Sequence, residues 1–217
     1  VQLLKAIVLI ELESYLEALD ACDRASPRDS LYYLQEYIKG YCFLKLKRPD
    51  EALFSFQSYF RELQTNPSTY DMQKTSIFSW DKDMEVMGFY QTVLKKDFKN
   101  SNLHNSLGVL LDKRRRSIEA RSIFDRAIQL DCTNVLAHIN RGKIYSEVRD
   151  FIHAEESFRT ALSLDSTAVF ALFYQGKSAL MQGRTEEAVQ SFSNALALAP
   201  NFGEAYTLRE SIFSKKQ

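Results

Sequence analysis

The chain has 217 residues, 28 basic and 28 acidic, and a formal net charge of zero, so no global basic field draws it to nucleic acid or an anionic membrane. Hydrophobic residues at 45% and charged residues at 26% exclude a disordered chain, and seven Gly with four Pro are too few for an all-β fold. No uncharged run approaches the ~20 apolar residues of a membrane span.

In chain order, Ala6, Ala18, Cys22 and Ala25 open a helical pattern that stops at Ser26-Pro27, where Asp29 or Ser30 is placed to cap the next helix. Ala18 recurs one period later as Ala52, and Gly40, Phe43 and Phe56 surround Ala52. Pro49 suits a helix start. Tyr59 stands where a small residue recurs later, so packing there must differ. Residues 67–100 break the pattern, with Lys74, Ile77, Val86, Tyr90 and Val93 at the key places. Val86, Phe89, Tyr90, Val93 and Leu94 still recur at helical spacing. The segment reads either as a degenerate repeat, since the frame resumes at 101, or as an insertion between two blocks.

From 101 the period is plain. Gly108, Gly142 and Gly176 are spaced 34 apart, and so are Ala120, Ala154 and Ala188; Phe124, Phe158 and Phe192; Ala127, Ala161 and Ala195; and Leu130, Leu164 and Leu198. Ala120, Phe124 and Ala127 fall on one helical stripe, where alanines admit a neighbouring helix and the phenylalanine fills the gap. A Gly inside a helix costs ~1 kcal/mol against Ala, so its recurrence predicts close helix–helix contact. Polar turns at Lys113 to Arg116, Val148 to Asp150 and Gln182 to Arg184 divide each copy into two helices. A last helix from Asn201 to about Ser214 carries Ala205, Leu208 and Ile212 on one face.

This set resembles the tetratricopeptide repeat (TPR). Gly176, Ala188, Phe192, Ala195 and Pro200 match its small, Ala, aromatic, Ala and Pro signature. The two preceding copies carry Cys132 and Ser166 in place of Pro, and His104, His138 and Leu172 replace an expected aromatic. The resemblance implies an all-α fold, a right-handed α-α superhelix (TPR solenoid) of about six helix–turn–helix repeats. The expected divisions are a truncated repeat 1–32, then 33–66, a degenerate 67–100, 101–134, 135–168, 169–202 and a capping helix 203–217. It also implies a concave groove lined by first helices. The expected groove set is Asn102, Asn105, Val109, Leu136, Ile139, Lys143, Phe170, Phe173 and Lys177, suited to a peptide with apolar anchors and a carboxylate. Asn140 fits the carboxylate clamp of Hsp70/Hsp90-binding members, but Asn105, Val109, Phe170 and Tyr174 do not, which disfavours that clamp.

No nucleotide, nucleophile-elbow or zincin motif occurs, and His104, His138 and His153 read as repeat or groove residues, so neither metal nor cofactor is expected. Cys22, Cys42 and Cys132 are too far apart for a CxxC pair and read as free thiols. Lys113-Arg114-Arg115-Arg116 reads as a solvated turn, with an import signal or an acidic-partner contact as the functional options. The expectation is a non-catalytic scaffold binding a protein or peptide, in the cytoplasm or nucleus, with no nucleic acid or membrane partner. Homodimerisation through the divergent N-terminal repeats is the further possibility. By analogy, subunits of ubiquitin-ligase scaffolds look like this. The alternative is the regulatory or targeting arm of a larger enzyme, which fits a chain starting at Val1 as part of a longer protein.

Overall fold

The computed structural model describes residues 1–29, 31–70 and 82–214. The described secondary structure is helical, and the chain divides into two compact units, Val1–Val86 and Met87–Gln217.

In the first unit α1 (Gln2–Glu11) packs on α2 (Tyr15–Asp23), and α3 (Gln35–Lys45) packs on α4 (Pro49–Thr65). Helix α2 also meets α3, where the Gln35 side chain donates to the Cys22 carbonyl at 2.8 Å. Ala6, Ala18 and Cys22 are fully buried, but α2 ends at Asp23, so Ala25 lies beyond it and only half-buried. Asp29 accepts from the Leu31 N–H at 3.1 Å, a local turn just before the 3-10 turn Tyr32–Leu34 that leads into α3, and caps neither element; Ser30 lies outside the described residues. Pro49 is the first residue of α4, where its missing N–H costs nothing. Tyr59 is 2% exposed, edge-on to Tyr37 at 5.1 Å and to Phe60 at 5.0 Å. The ring therefore belongs to the interior of the unit and offers no surface for self-association.

Residues 67–70 are helical, while 71–81, with Lys74 and Ile77, lie outside the described residues. Helix α5 (Asp83–Lys96) starts in the first unit and ends in the second, with Val86 and Tyr90 fully buried. The second unit continues through α6 (Ser101–Lys113), α7 (Ser117–Leu130), α8 (Val135–Glu147), α9 (Phe151–Leu164), α10 (Val169–Met181), α11 (Thr185–Leu198) and α12 (Gly203–Ser214). Each odd-numbered helix packs on the even-numbered one before it and on the one after it from α7 onward, which stacks the pairs.

The recurring glycine has a specific cause. A Cβ on Gly142 would stand 2.6 Å from the Phe158 ring, one on Gly176 2.8 Å from Phe192, and one on Gly40 2.7 Å from Phe56; Gly108 meets Phe124 in the same way. Each phenylalanine is 0–1% exposed, so each pair is locked by a ring laid over a bare backbone. The turns within the pairs share one device as well. Glu13, Lys47, Arg115, Arg149 and Gly183 all take positive φ, between 58° and 75°, the left-handed step that redirects the chain into the second helix.

Candidate functional site: the face of the first helices in the second unit

Helices α6, α8 and α10 carry the expected groove residues. Asn102 is exposed, and Val109, Leu136, Lys143 and Lys177 are half-buried. The others are enclosed: Asn105 is 3% exposed, Ile139 4%, Phe170 4% and Phe173 0%. Phe173 lies 4.6 Å from Phe202 and 6.0 Å from Phe192 between ring centroids, and Phe170 lies 5.5 Å from Phe202. Phe202 opens the way to α12, and its ring seats that helix on the two phenylalanines. The sequence expectation of exposed anchors at Phe170 and Phe173 is therefore corrected. Both belong to the packing that holds the last helix, because an apolar side chain on a first helix is covered wherever a following helix supplies a ring.

Polar contacts between successive pairs run along the same face. Asn134 caps α8 by accepting from the Ala137 N–H at 3.1 Å. Its Nδ2 also donates to Ser101 Oγ at 2.7 Å and Asn102 Oδ1 at 3.2 Å, while Ser101 Oγ donates to the Ala127 carbonyl at 2.9 Å. One asparagine thus ties α6 and α7 to the start of α8. Further along, Asn140 Nδ2 donates to Asn105 Oδ1 at 2.9 Å, and Lys143 Nζ donates to Asp112 Oδ2 at 2.5 Å, with Glu147 at 3.7 Å. Partial burial lifts the Glu147 carboxyl above its ordinary range; Lys143 opposes this, Asp112 adds to it and Lys177 opposes it. Lys177 lies 5.4 Å from the Phe173 ring centroid and 5.9 Å from that of Tyr174. Sequence reading named Lys143 and Lys177 but missed Asn134 and Glu147. For Glu147 the signal was present, since it follows Lys143 by four residues on the same helix.

The other sequence-marked residues lie apart from this face. His104 sets Nδ1 2.9 Å from the Asn100 carbonyl, and His138 donates Nε2–H to the Cys132 carbonyl at 3.0 Å. His153 is exposed, 2.8 Å from Asp150 and stacked on Tyr145. Cys22 and Cys42 are buried, and burial pushes both thiols up to about 12; Cys132 is exposed. Arg116, in the basic run, pairs with Glu119 at 2.6 Å across the start of α7. Among the described residues no three His, Cys, Asp or Glu side chains stand together as a metal site, and no described helix is long and apolar enough to cross a membrane.

Two models of the tetratricopeptide repeat match the chain, over residues 136–167 and 169–202. No curated protein sequence matches it significantly. Among solved structures, the TPR protein YrrB, described as having an unusual peptide-binding site, is similar at TM-score 0.50 and 17% identity, over 96% of this chain and 90% of that one. The chain of the APC/C hetero-tetramer Cut9-Hcn1 is similar at TM-score 0.58 and 17% identity, over 97% of this chain and 42% of that one. The first TPR of Spaghetti (RPAP3), bound to an HSP90 peptide, is similar at TM-score 0.51 and 22% identity, over 54% of this chain and 92% of that one. At those identities the likeness is one of fold alone. Together with the Gly–Phe locks that recur in successive helix pairs, the matched models make this chain a tetratricopeptide-repeat protein.

Proposed function

We propose that the chain is a protein-interaction scaffold that binds a peptide segment along the face of α6, α8 and α10. The observation that carries this is the mixture on that face. Asn102, Val109, Leu136 and Lys177 retain exposed surface, while the contacts through Asn134, Asn140 and Lys143 hold the helices that bear them. A surface fixed before binding loses little entropy on capture, and alternating amide, apolar and cationic groups suit an extended peptide. The peptide-bound and assembly-forming neighbours support the same reading. Cytoplasmic or nuclear residence and a non-catalytic role belong with it; the repeat boundaries set out above and a poor fit to the Hsp70/Hsp90 clamp are part of the proposal.

Val109→Arg with Lys177→Glu tests it, because neither residue is enclosed. Capture of a partner from source-cell extract is lost while the circular dichroism spectrum is kept; Ile152→Arg, on an 80% exposed residue of α9, leaves capture intact. The opposite pattern moves the binding surface elsewhere.

A second reading, association with a like subunit through the first unit, is favoured by α1. Val8 is 58% exposed, whereas its repeat equivalents Cys42, Leu110, Ile144 and Ser178 are 0–2% exposed. With Leu4 at 48% and Leu12 at 67%, this forms an apolar stripe of the kind another helix covers. Light scattering at two concentrations, with Val8→Glu as the control, decides it.

A further inference from the structure

Helix α3 carries Tyr37, Tyr41 and Lys45 four residues apart, along one edge. All three reach residues that open α5. Tyr37 Oη donates to Asp83 Oδ1 at 2.6 Å, Tyr41 Oη to Glu85 Oε1 at 2.7 Å, and Lys45 Nζ to Glu85 Oε2 at 2.5 Å. Lys82 adds a contact to Glu11, at the end of α1, at 3.0 Å. Tyr37 and Tyr41 hold the places in their repeat that Asn105 and Val109 hold in theirs. In the second unit Asn105 is met by the first helix of the next repeat, through Asn140. In the first unit the equivalent edge is met by two carboxylates two residues apart.

The contact has an inner and an outer half. Asp83 and Tyr37 are each 1% exposed. The side chains of Glu85 and Lys45 are 46% and 33% exposed, so the ion pair stands open to solvent. Burial works against the charge on Glu85, yet Lys45 and Tyr41 hold its carboxyl below the ordinary range. Burial, then the bond to Glu85, pushes the Tyr41 hydroxyl up to about 12, which keeps it a donor. The edge thus recognises carboxylates through side-chain donors, a chemistry that a segment from another chain supplies equally well.

We propose that this edge of α3 is a receptor for a protein segment carrying an Asp-x-Glu pair, occupied in cis by Asp83-Met84-Glu85, and that a partner segment of that chemistry binds by displacing it. The cis segment acts as a built-in competitor. The apparent affinity for the partner equals the intrinsic affinity reduced by the fraction of molecules in which the edge is open.

The probe is a fluorescein-labelled peptide copying residues 82–92, titrated by anisotropy against the full chain. Wild type binds it weakly. Glu85→Lys, which repels Lys45 in cis, binds it at least about tenfold more tightly, as expected when the open fraction rises from a few per cent. Lys45→Glu breaks the same ion pair but also removes the cation the peptide needs, so it shows no gain. The double exchange, Glu85→Lys with Lys45→Glu, restores the cis pair and returns binding to the wild-type level. A peptide with Asp83→Asn and Glu85→Gln binds none of the proteins. Glu85→Gln, close to wild type in size, supplies a second test with a smaller gain should the reversed charge disturb helicity. Equal gains for Glu85→Lys and Lys45→Glu would show general loosening and overturn the proposal. So would wild-type binding as tight as that of Glu85→Lys, or no gain for either Glu85 variant at unchanged circular dichroism.

Discussion

The same substitution, glycine to alanine inside a helix, is expected to act in opposite directions at two sites of the second unit. At Gly142 the new methyl would sit 2.6 Å from Phe158 Cε1 and 2.8 Å from Cδ1, a distance real Cβ atoms do not adopt. Phe158 is 0% exposed, so its ring has no solvent to move into and the two helices must part. Forcing a methyl into a packed core costs roughly 1–3 kcal/mol. The gain in helix propensity returns about 1 kcal/mol, leaving Gly142→Ala less stable by up to about 2 kcal/mol. Gly88 lies in α5, exposed, and a Cβ there would meet nothing within 4 Å. Gly88→Ala therefore keeps the propensity term alone and is more stable by about 0.5–1 kcal/mol. The assay is the urea midpoint by circular dichroism, with melting temperatures as a second readout at about 2–4 °C per kcal/mol for a chain of this size. Destabilisation by both, or stabilisation by both, refutes the claim that the phenylalanine ring is what selects glycine.

Other expectations follow from single contacts. Asn134→Ala removes a cap and an inter-repeat donor together and costs about 2 kcal/mol, read from the urea midpoint. Asn100→Ala, which loses a cap and an exposed bond to Asp97, costs about half that. His138 has its pKa lowered, chiefly by burial, from an ordinary value of 6.5, and its Nδ1 is buried without a partner. The unfolded chain then takes up the proton first. The contribution of His138 is complete above pH 6.5 and is lost as pH falls through 6.5 toward the depressed folded value. Wild type loses more stability between pH 7.5 and 5.5 than His138→Gln, in paired urea titrations; equal losses would remove His138 from the account. Gly183→Ala, at φ +75°, costs about 1 kcal/mol although the added Cβ meets nothing, because the cost is conformational.

The locks and turns were legible in the sequence because they repeat: a bare backbone under a ring is a two-residue relation that returns with each regular helix pair. Tyr59 was legible as an exception but not as a buried edge-on ring, since its partner Tyr37 departs from the pattern too. The groove was read less well. Phe170 and Phe173 occupy places that face a partner in an open array, but here Phe202 covers them, and a relation between one helix and the approach to another does not show in a single repeat. Asn134 was missed because a helix cap reads as a local device, whereas its second amide hydrogen bonds span 33 and 32 residues. The contacts of Asp83 with Tyr37 and of Glu85 with Tyr41 join distant parts of the sequence and obey no period, so nothing in the repeat frame announced them.

The left-handed residue between the helices of each pair has a practical consequence. Glu13, Lys47, Arg115, Arg149 and Gly183 are all exposed, and four of the five are not glycine, so the backbone step tolerates varied side chains. These residues are attachment points spaced one per helix pair. A fluorophore or tether fixed to them leaves the packed seams untouched, and so allows distances to be measured within each unit while a partner binds.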